Sequence, residues 1–185
     1  MKNYAAYIVV IIVAAMLAGY GCGRGKNKGA ETSPADSVEA VRRMSIVFGG
    51  DVMQHLPQVQ AAKRDSTYDY TETFRYIRPF IDSADIVVFN FETTVSANGR
   101  YSGYPMFSSP PQLMSALAAN GVDVVALANN HTADRGYKGV KATVDAAIEY
   151  GLKYTGAFAD STGYAENSPL ILESGGIKMA LLNYT

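Results

Sequence analysis

The residues best suited to chemistry follow three apolar runs, each short enough and sufficiently β-branched to be a buried strand. In parallel α/β sheets the carboxyl ends of neighbouring strands meet at one edge, where ligands bind. Carboxylate and amide oxygens, together with imidazole nitrogen, are donors for divalent metal ions. The sequence therefore predicts a divalent metal site, of unspecified metal, at this edge. The candidate ligands are Asp51, Glu92 and Asn130.

His131 brings a second kind of chemistry to the same edge. It follows Asn130 directly, at the end of the third apolar run. An imidazole in that place could be a further metal ligand or could act in catalysis, although a lone histidine beside asparagine is more often only hydrogen-bonded. Other polar side chains near the three strand ends could support the ligands or contact a substrate. These are Asn90, Asp134, His55 and Arg135.

Each candidate also has a simpler structural explanation. Asp51 could cap a turn, and Asn90 or Asn130 could bond to nearby backbone. Taken alone, Asp134 is best explained as the cap of the helix that follows it. His55 could merely be exposed. The same polar character at three strand ends nevertheless favours one shared site.

The composition is that of a globular protein and limits the possible partners. The 185 residues are 48% hydrophobic and 18% charged, with a net charge of -1, so we expect no nucleic-acid partner. The sequence shows no strong basic patch, which weakens simple electrostatic capture of an anionic polymer. The single cysteine, Cys22, excludes an internal disulfide, and the presence of only two histidines limits imidazole ligands.

The amino terminus has the features of an export signal. Lys2 precedes an uncharged stretch whose apolar centre spans residues 5–18, and small residues lead to Cys22. This pattern resembles a bacterial lipoprotein signal, with Cys22 as the lipidation site. An uncleaved membrane helix is the alternative. In either case we expect an extracytoplasmic, membrane-anchored protein, with a signal or anchor over 1–22, a flexible tether over 23–43 and a single domain over 44–185.

Predicted strands and helices alternate through that domain, and its last part predicts a hairpin. This order favours a layered α/β fold with a largely parallel sheet flanked by helices. A polar segment at 58–70 has no clear pattern. Ser109 and Gln112 are predicted to form a capping box for one helix. The predicted strands are 44–49, 85–89, 122–128 and 152–155, the helices 71–81, 110–120 and 137–150, and the hairpin strands 169–172 and 177–182.

The motifs Gly-Gly-Asp-Val-Met from residue 49, Asn-Phe-Glu-Thr from residue 90, Ala-Asn-Asn-His-Thr-Ala-Asp-Arg-Gly from residue 128 and Leu-Asn-Tyr-Thr from residue 182 resemble the CapA family of capsule-synthesis proteins. That family is similar to calcineurin-like metallophosphoesterases, which implies a layered α/β fold and a two-metal site. By this resemblance Asp51 is the aspartate of the first metal motif. Asn130 is a ligand, His131 contacts substrate or donates a proton, and Glu92 stands in the second motif.

The sequence departs from the phosphoesterase pattern in two places. Met53 stands where phosphoesterases have a histidine, and no histidine follows His131. Members of the CapA family are longer than this sequence. We therefore expect this sequence to be an amino-terminal part of a longer protein, with an incomplete site.

The resemblance implies an envelope-anchored protein of poly-γ-glutamate or related capsule polymer synthesis or export, working within a synthesis complex. Its metallophosphoesterase-like site would hydrolyse a phosphoester or an amide-linked polymer. The alternative is a non-catalytic lipoprotein that binds the polymer or serves as a scaffold. A lipoprotein whose metal is only structural is a third possibility.

Overall fold

The computed structural model describes residues 41–185, and its centre is a four-stranded sheet. All neighbouring strands in that sheet are parallel, in the order β1-β4-β5-β6, while β2 with β3 and β7 with β8 form two antiparallel pairs. The predicted α/β fold with a largely parallel sheet is confirmed. The strands are β1 Ile46–Val52, β2 Lys63–Arg64, β3 Thr67–Tyr68, β4 Ile86–Phe91, β5 Val124–Ala126, β6 Lys153–Thr155, β7 Leu170–Ser174 and β8 Ile177–Leu181.

Helices connect the parallel strands, as parallel pairing requires. The longest helix joins β5 to β6 and has an apolar stripe facing the sheet. A short 3-10 helix at Thr71–Phe74 precedes the second helix. The α-helices are α1 Leu56–Ala62, α2 Arg78–Ile81, α3 Gln112–Ala119, α4 Gly136–Glu149 and α5 Ser161–Asn167.

The central strand β4 shows why the sheet is covered on both faces. Val87, Phe89 and Phe91 join the larger core, which includes residues of α3 and α4. Ile86 and Val88 face the other way and join the smaller core, to which the β7–β8 hairpin contributes. A strand that is buried on both faces has a continuous apolar sequence, which is why the position of β4 could be predicted.

Strand β1 continues past its predicted end at residue 49. It runs to Val52, with an irregular register between Gly49 and Asp51 that aligns Asp51 with Asn90 on β4. A side chain at Gly49 would collide with the ring of Phe89, so only glycine fits there. The extension brings Asp51 to the carboxyl end of β4.

The segment 58–70, which has no clear pattern in the sequence, is ordered. It forms most of α1 and the small β2–β3 pair, and it buries Val59, Ala62 and Tyr70. The predicted helix over 71–81 is instead the 3-10 turn followed by α2. Pro79 lies in the first turn of α2, where proline is tolerated, so it begins that helix and does not end it.

One other helix prediction needs correction. The predicted Ser109–Gln112 capping box does not form, because the Ser109 hydroxyl bonds to that of Thr93 at 2.9 Å. The helix begins only at Gln112, whose buried Oε1 has no partner among the described residues.

Candidate active site

Two carboxylates and one amide meet where β1 and β4 end. The side-chain amide of Asn90 donates to Asp51 Oδ1 at 2.7 Å and to Glu92 Oε2 at 3.0 Å. Both hydrogens of one amide nitrogen are therefore used to hold two acids side by side. The structure thus brings together the predicted ligands Asp51 and Glu92 and the predicted supporting residue Asn90.

The proximity of these acids changes the ionisation of one of them. Burial, followed by the neighbouring Asp51 carboxylate, raises the pKa of Glu92, while His131 and the Asn90 amide act in the opposite direction. The carboxylate form is disfavoured where solvent is scarce and a like charge is near. A cation between the two acids would relieve that repulsion.

Asn129, which the sequence analysis did not single out, links this acid pair to His131. Its side-chain Nδ2 donates to Asn90 Oδ1 at 3.1 Å and to the carbonyl of Phe91 at 3.0 Å. Its Oδ1 accepts from the backbone nitrogen of His131 at 3.0 Å. Asn129 therefore fixes the orientation of the Asn90 amide. The prediction chose Asn130 from the same Asn-Asn-His motif, and only the conformation of the turn tells the two asparagines apart.

His131 is held by Asp134 and by an aromatic ring. Its Nδ1 lies 2.9 Å from Asp134 Oδ2, and the ring of Phe107 stands edge-on to the imidazole with the centroids 4.6 Å apart. The same carboxylate oxygen accepts from the Phe107 backbone nitrogen at 2.6 Å. Since a carboxylate only accepts, Nδ1 carries a hydrogen, and Nε2 makes no hydrogen bond within residues 41–185.

The alternative role of Asp134, capping the following helix, is wrong. Helix α4 has Arg135 at its N-cap position, with no side-chain cap. The Asp134 carboxylate instead lies 2.9 Å from His131 Nδ1, and its role in supporting that histidine stays a prediction.

His55 contacts the same aromatic ring as His131. It is exposed, its Nδ1 accepts from the Tyr104 backbone nitrogen at 3.4 Å, and its ring stands edge-on to Phe107 at 5.3 Å. Its backbone nitrogen donates to Gln58 Oε1 at 2.6 Å, in a capping box at the start of α1. Both imidazoles therefore pack edge-on against Phe107.

The remaining two candidates are exposed. Asn130 follows Asn129 in the turn after β5, and its side chain makes no hydrogen bond within residues 41–185. Arg135 Nη2 donates to the Ser102 hydroxyl and, at 2.8 Å, to the carbonyl of Met106. Arg135 is thus tied to the 96–109 loop and not to the acid pair.

The oxygen atoms available at this site suit a hard divalent cation, but they come from few side chains. Within residues 41–185 no group of three or more His, Cys, Asp and Glu side chains is arranged to hold a metal ion. Two adjacent carboxylates are nevertheless present, with an exposed asparagine in the turn that carries His131. Oxygen donors of this kind fit a cation such as Mg²⁺, Mn²⁺ or Ca²⁺.

A cleft of about 550 Å³ borders the site beside Asp51. Residues 50–54, part of α1 and the segment around Tyr70 line it. Gln54 in its wall is buried, accepts from the Tyr70 hydroxyl at 2.9 Å, and has an amide nitrogen without a partner among the described residues. The site is therefore open to molecules of moderate size on this side.

Several predictions concern residues outside the described part of the chain. These are the signal or anchor over 1–22, the lipidation site Cys22 and most of the 23–43 tether. In residues 41–185, no helix has both the length and the apolar character needed to cross a membrane.

The sequence is similar to that of known proteins of capsule and polyglutamine synthesis. The capsule biosynthesis protein CapA of Bacillus anthracis is 28% identical over 149 residues, which are 77% of this chain and 35% of that protein. Probable polyglutamine synthesis accessory proteins from two Mycobacterium tuberculosis strains are each 38% identical over 80 residues, 42% of this chain and 21% of theirs. The chain therefore spans about a third or less of the length of these relatives.

The family match covers nearly all of the described residues. The model described as bacterial capsule synthesis protein PGA_cap aligns with residues 45–185. That range contains the acid pair, Asn129, His131 and Asp134, and it supports the resemblance to CapA. This chain belongs to the bacterial capsule synthesis protein PGA_cap family.

Proposed function

We propose that this protein acts at the cell envelope in the synthesis or export of poly-γ-glutamate or a related capsule polymer, and that its site is a metal-dependent hydrolase. The names of the relatives, a capsule biosynthesis protein and polyglutamine synthesis accessory proteins, support the first part. The observation that carries the second part is the acid pair held by Asn90 beside an oriented His131. The substrate would be a phosphoester or an amide bond of the polymer.

The residues of the site would have two functions, metal binding and proton transfer. Asp51 and Glu92 would hold a divalent ion, with Asn130 as a further oxygen donor. When bound, such an ion polarises a phosphoryl or acyl oxygen and lowers the pKa of water. When protonated on both ring nitrogens, His131 would give the Nε2 proton to the leaving group or stabilise charge, while Asp134 holds the Nδ1 side of the ring.

The test uses the full-length protein and three variants. Metal content is measured after dialysis, and hydrolysis is followed on a γ-linked oligoglutamate and on a chromogenic phosphoester. We expect His131→Ala to keep the metal and lose turnover, and Glu92→Gln to lose both. Glu149→Gln, an exposed change of the same type at the end of α4, is the control and should match wild type. Wild-type protein with neither metal nor activity would contradict the hydrolase.

A non-catalytic function in the same process is the second candidate. Only two carboxylates of the predicted site meet in the described residues, which suits a binding site as well as a hydrolase. Bound metal or bound polymer without turnover in the full-length protein would favour this polymer-binding or scaffold function.

The anchor is tested separately. If Cys22 is the lipidation site, Cys22→Ser should stop incorporation of a labelled fatty acid and release the protein from the membrane fraction. Membrane retention of the variant, without labelling of either protein, would favour an uncleaved helix instead.

A further inference from the structure

A second cleft, of about 430 Å³, lies between the 96–109 loop and the start of α4. Among the described residues that line it, three are basic and none is acidic. The sequence gives no sign of this cluster, because its members come from two separate segments. They are Arg100, Arg135 and Lys138.

The three cations have no acidic partner in the described part of the chain. None of the five ion pairs found within residues 41–185 includes Arg100, Arg135 or Lys138. By contrast, Lys141, one turn further along α4, is paired with Asp145 at 2.7 Å. Like charges without a counterion repel one another, and an anion in the cleft would remove that cost.

Helix α4 adds to the positive potential. Its first turn has no acidic residue and no side-chain cap, and Lys138 and Gly139 of this turn line the cleft. The N-terminus of a helix carries about half a positive charge and unpaired N–H groups. Because the first turn of this 14-residue helix lines the cleft, the positive end of its dipole lies near the three side chains.

The walls of the cleft are held in place by hydrogen bonds. The carbonyl of Arg100 accepts from the hydroxyls of Ser96 and Ser108, each at 2.9 Å. On the opposite wall, Arg135 is held by the Ser102 hydroxyl and the Met106 carbonyl. Ordered walls reduce the entropy that a ligand must remove, so the cleft is suited to binding and not merely to solvation.

The cleft is also connected to the candidate active site. Met106, which Arg135 contacts, precedes Phe107, and Phe107 contacts both His131 and Asp134. Arg135 itself follows Asp134 in the chain. One loop therefore forms a wall of the cleft and a wall of the site.

We propose that this cleft binds an oxyanion group, a carboxylate or a phosphate, of an extended anionic ligand whose next segment lies at His131. Arginine recognises either group through paired N–H donors, and lysine supplies a point charge. A polymer with one carboxylate per residue would fill the cleft and the site together. The identification of that polymer as polyglutamate rests on the proposed function, whereas the anion site does not.

The test measures binding and not turnover, so that it is independent of the hydrolase proposal. Full-length wild type, the double variant Arg100→Gln/Lys138→Gln and the control Lys141→Gln are titrated with a labelled γ-linked oligoglutamate. Orthophosphate is the competitor. Titrations at low and at physiological ionic strength measure the electrostatic part of binding. Lys141→Gln makes the same charge change on the same helix, outside the cleft. Circular dichroism checks that all three are folded.

We expect the double variant to bind the oligoglutamate about tenfold more weakly, with a smaller salt dependence, because two charge-assisted contacts are lost at a partly exposed site. The control should bind like wild type. If only orthophosphate binds, and with the same sensitivity to the double variant, the anion site is supported and polyglutamate is excluded as its ligand. Equal binding by all three proteins, or no binding of either probe to wild type, would overturn the proposal.

Discussion

The imidazole of His131 and the carboxylate of Asp134 lie 2.9 Å apart, and both side chains are largely buried, with 14% and 11% of their surface exposed. Asp134 is itself held, since the same oxygen, Oδ2, also accepts from the Phe107 backbone nitrogen at 2.6 Å. The histidine is therefore oriented by a group that is itself held. This is the relation expected of a proton-transferring histidine and its supporting acid.

The first prediction concerns this pair. Asp134→Asn keeps the shape of the side chain but lets an NH₂ group face Nδ1, which favours the wrong imidazole tautomer. We expect turnover by the full-length protein to fall about 10- to 100-fold, the usual cost of removing an orienting partner. The loss should appear in kcat with little change in KM. Asp145→Asn, an exposed acid on α4, is the control and should leave both constants unchanged.

A buried hydrogen bond that holds the segment after β4 gives the second prediction. The Thr143 hydroxyl accepts from the Val95 backbone nitrogen and donates to the Gly139 carbonyl, each at 2.8 Å. Thr143→Val has the same shape and leaves the Val95 donor buried without a partner. We expect the free energy of unfolding, measured by urea titration, to drop by about 1–3 kcal/mol. Thr143→Ser retains the hydroxyl and should lose less; equal losses would show that packing, and not the bond, matters.

Some elements of this structure can be predicted from sequence patterns because residues close together in the chain determine them. The buried strand β4 is visible as an apolar run, and Gly151, whose φ is +73°, follows the end of α4, a position that favours glycine. The positions of Asp51, Glu92 and His131 follow from strands that end at a common edge. These features need no knowledge of distant contacts.

Other features depend on distant contacts and could not be predicted in this way. Asn129 and Asn130 are identical in type and adjacent, and only the turn decides which one reaches Asn90. Ser109 fits the pattern of a helix cap, and the sequence does not reveal that its hydroxyl bonds instead to that of Thr93. Arg100 and Lys138 are 38 residues apart, and the fold alone brings them to one cleft.

The third prediction concerns alkaline pH. Burial raises the pKa of Tyr70 from 10.0 to about 12 despite its hydrogen bond to Gln54. A group whose pKa is raised on folding stabilises the fold below its unfolded pKa, and this contribution is lost as the pH rises through the folded value. Wild-type stability should therefore decline between these two pKa values, in part through Tyr70.

Tyr70→Phe tests this assignment. At neutral pH the variant should be less stable by about 1–2 kcal/mol, because the buried Gln54 oxygen loses its donor. The difference from wild type should narrow as the pH rises above 10.0, the unshifted value, since the variant has no phenol to ionise. Tyr137→Phe changes a 65% exposed tyrosine and should follow wild type throughout. A constant difference between Tyr70→Phe and wild type would contradict the assignment.

The last prediction separates the function of the acid pair from its effect on stability. In the metal-free protein, Asp51 and Glu92 repel each other, and this contributes to the raised pKa of Glu92. Glu92→Gln removes one charge, keeps an acceptor for Asn90 and gains an amide donor for Asp51. We expect the Tm in the presence of a chelator to rise by roughly 1–3 °C. Added Mg²⁺ or Mn²⁺ should raise the Tm of wild type, because a ligand that binds only the folded state stabilises it, and should not raise that of the variant. Glu149→Gln should respond to the cation as wild type does. A variant that is less stable without metal, or equally stabilised by it, would show that the two carboxylates are structural and not a cation site.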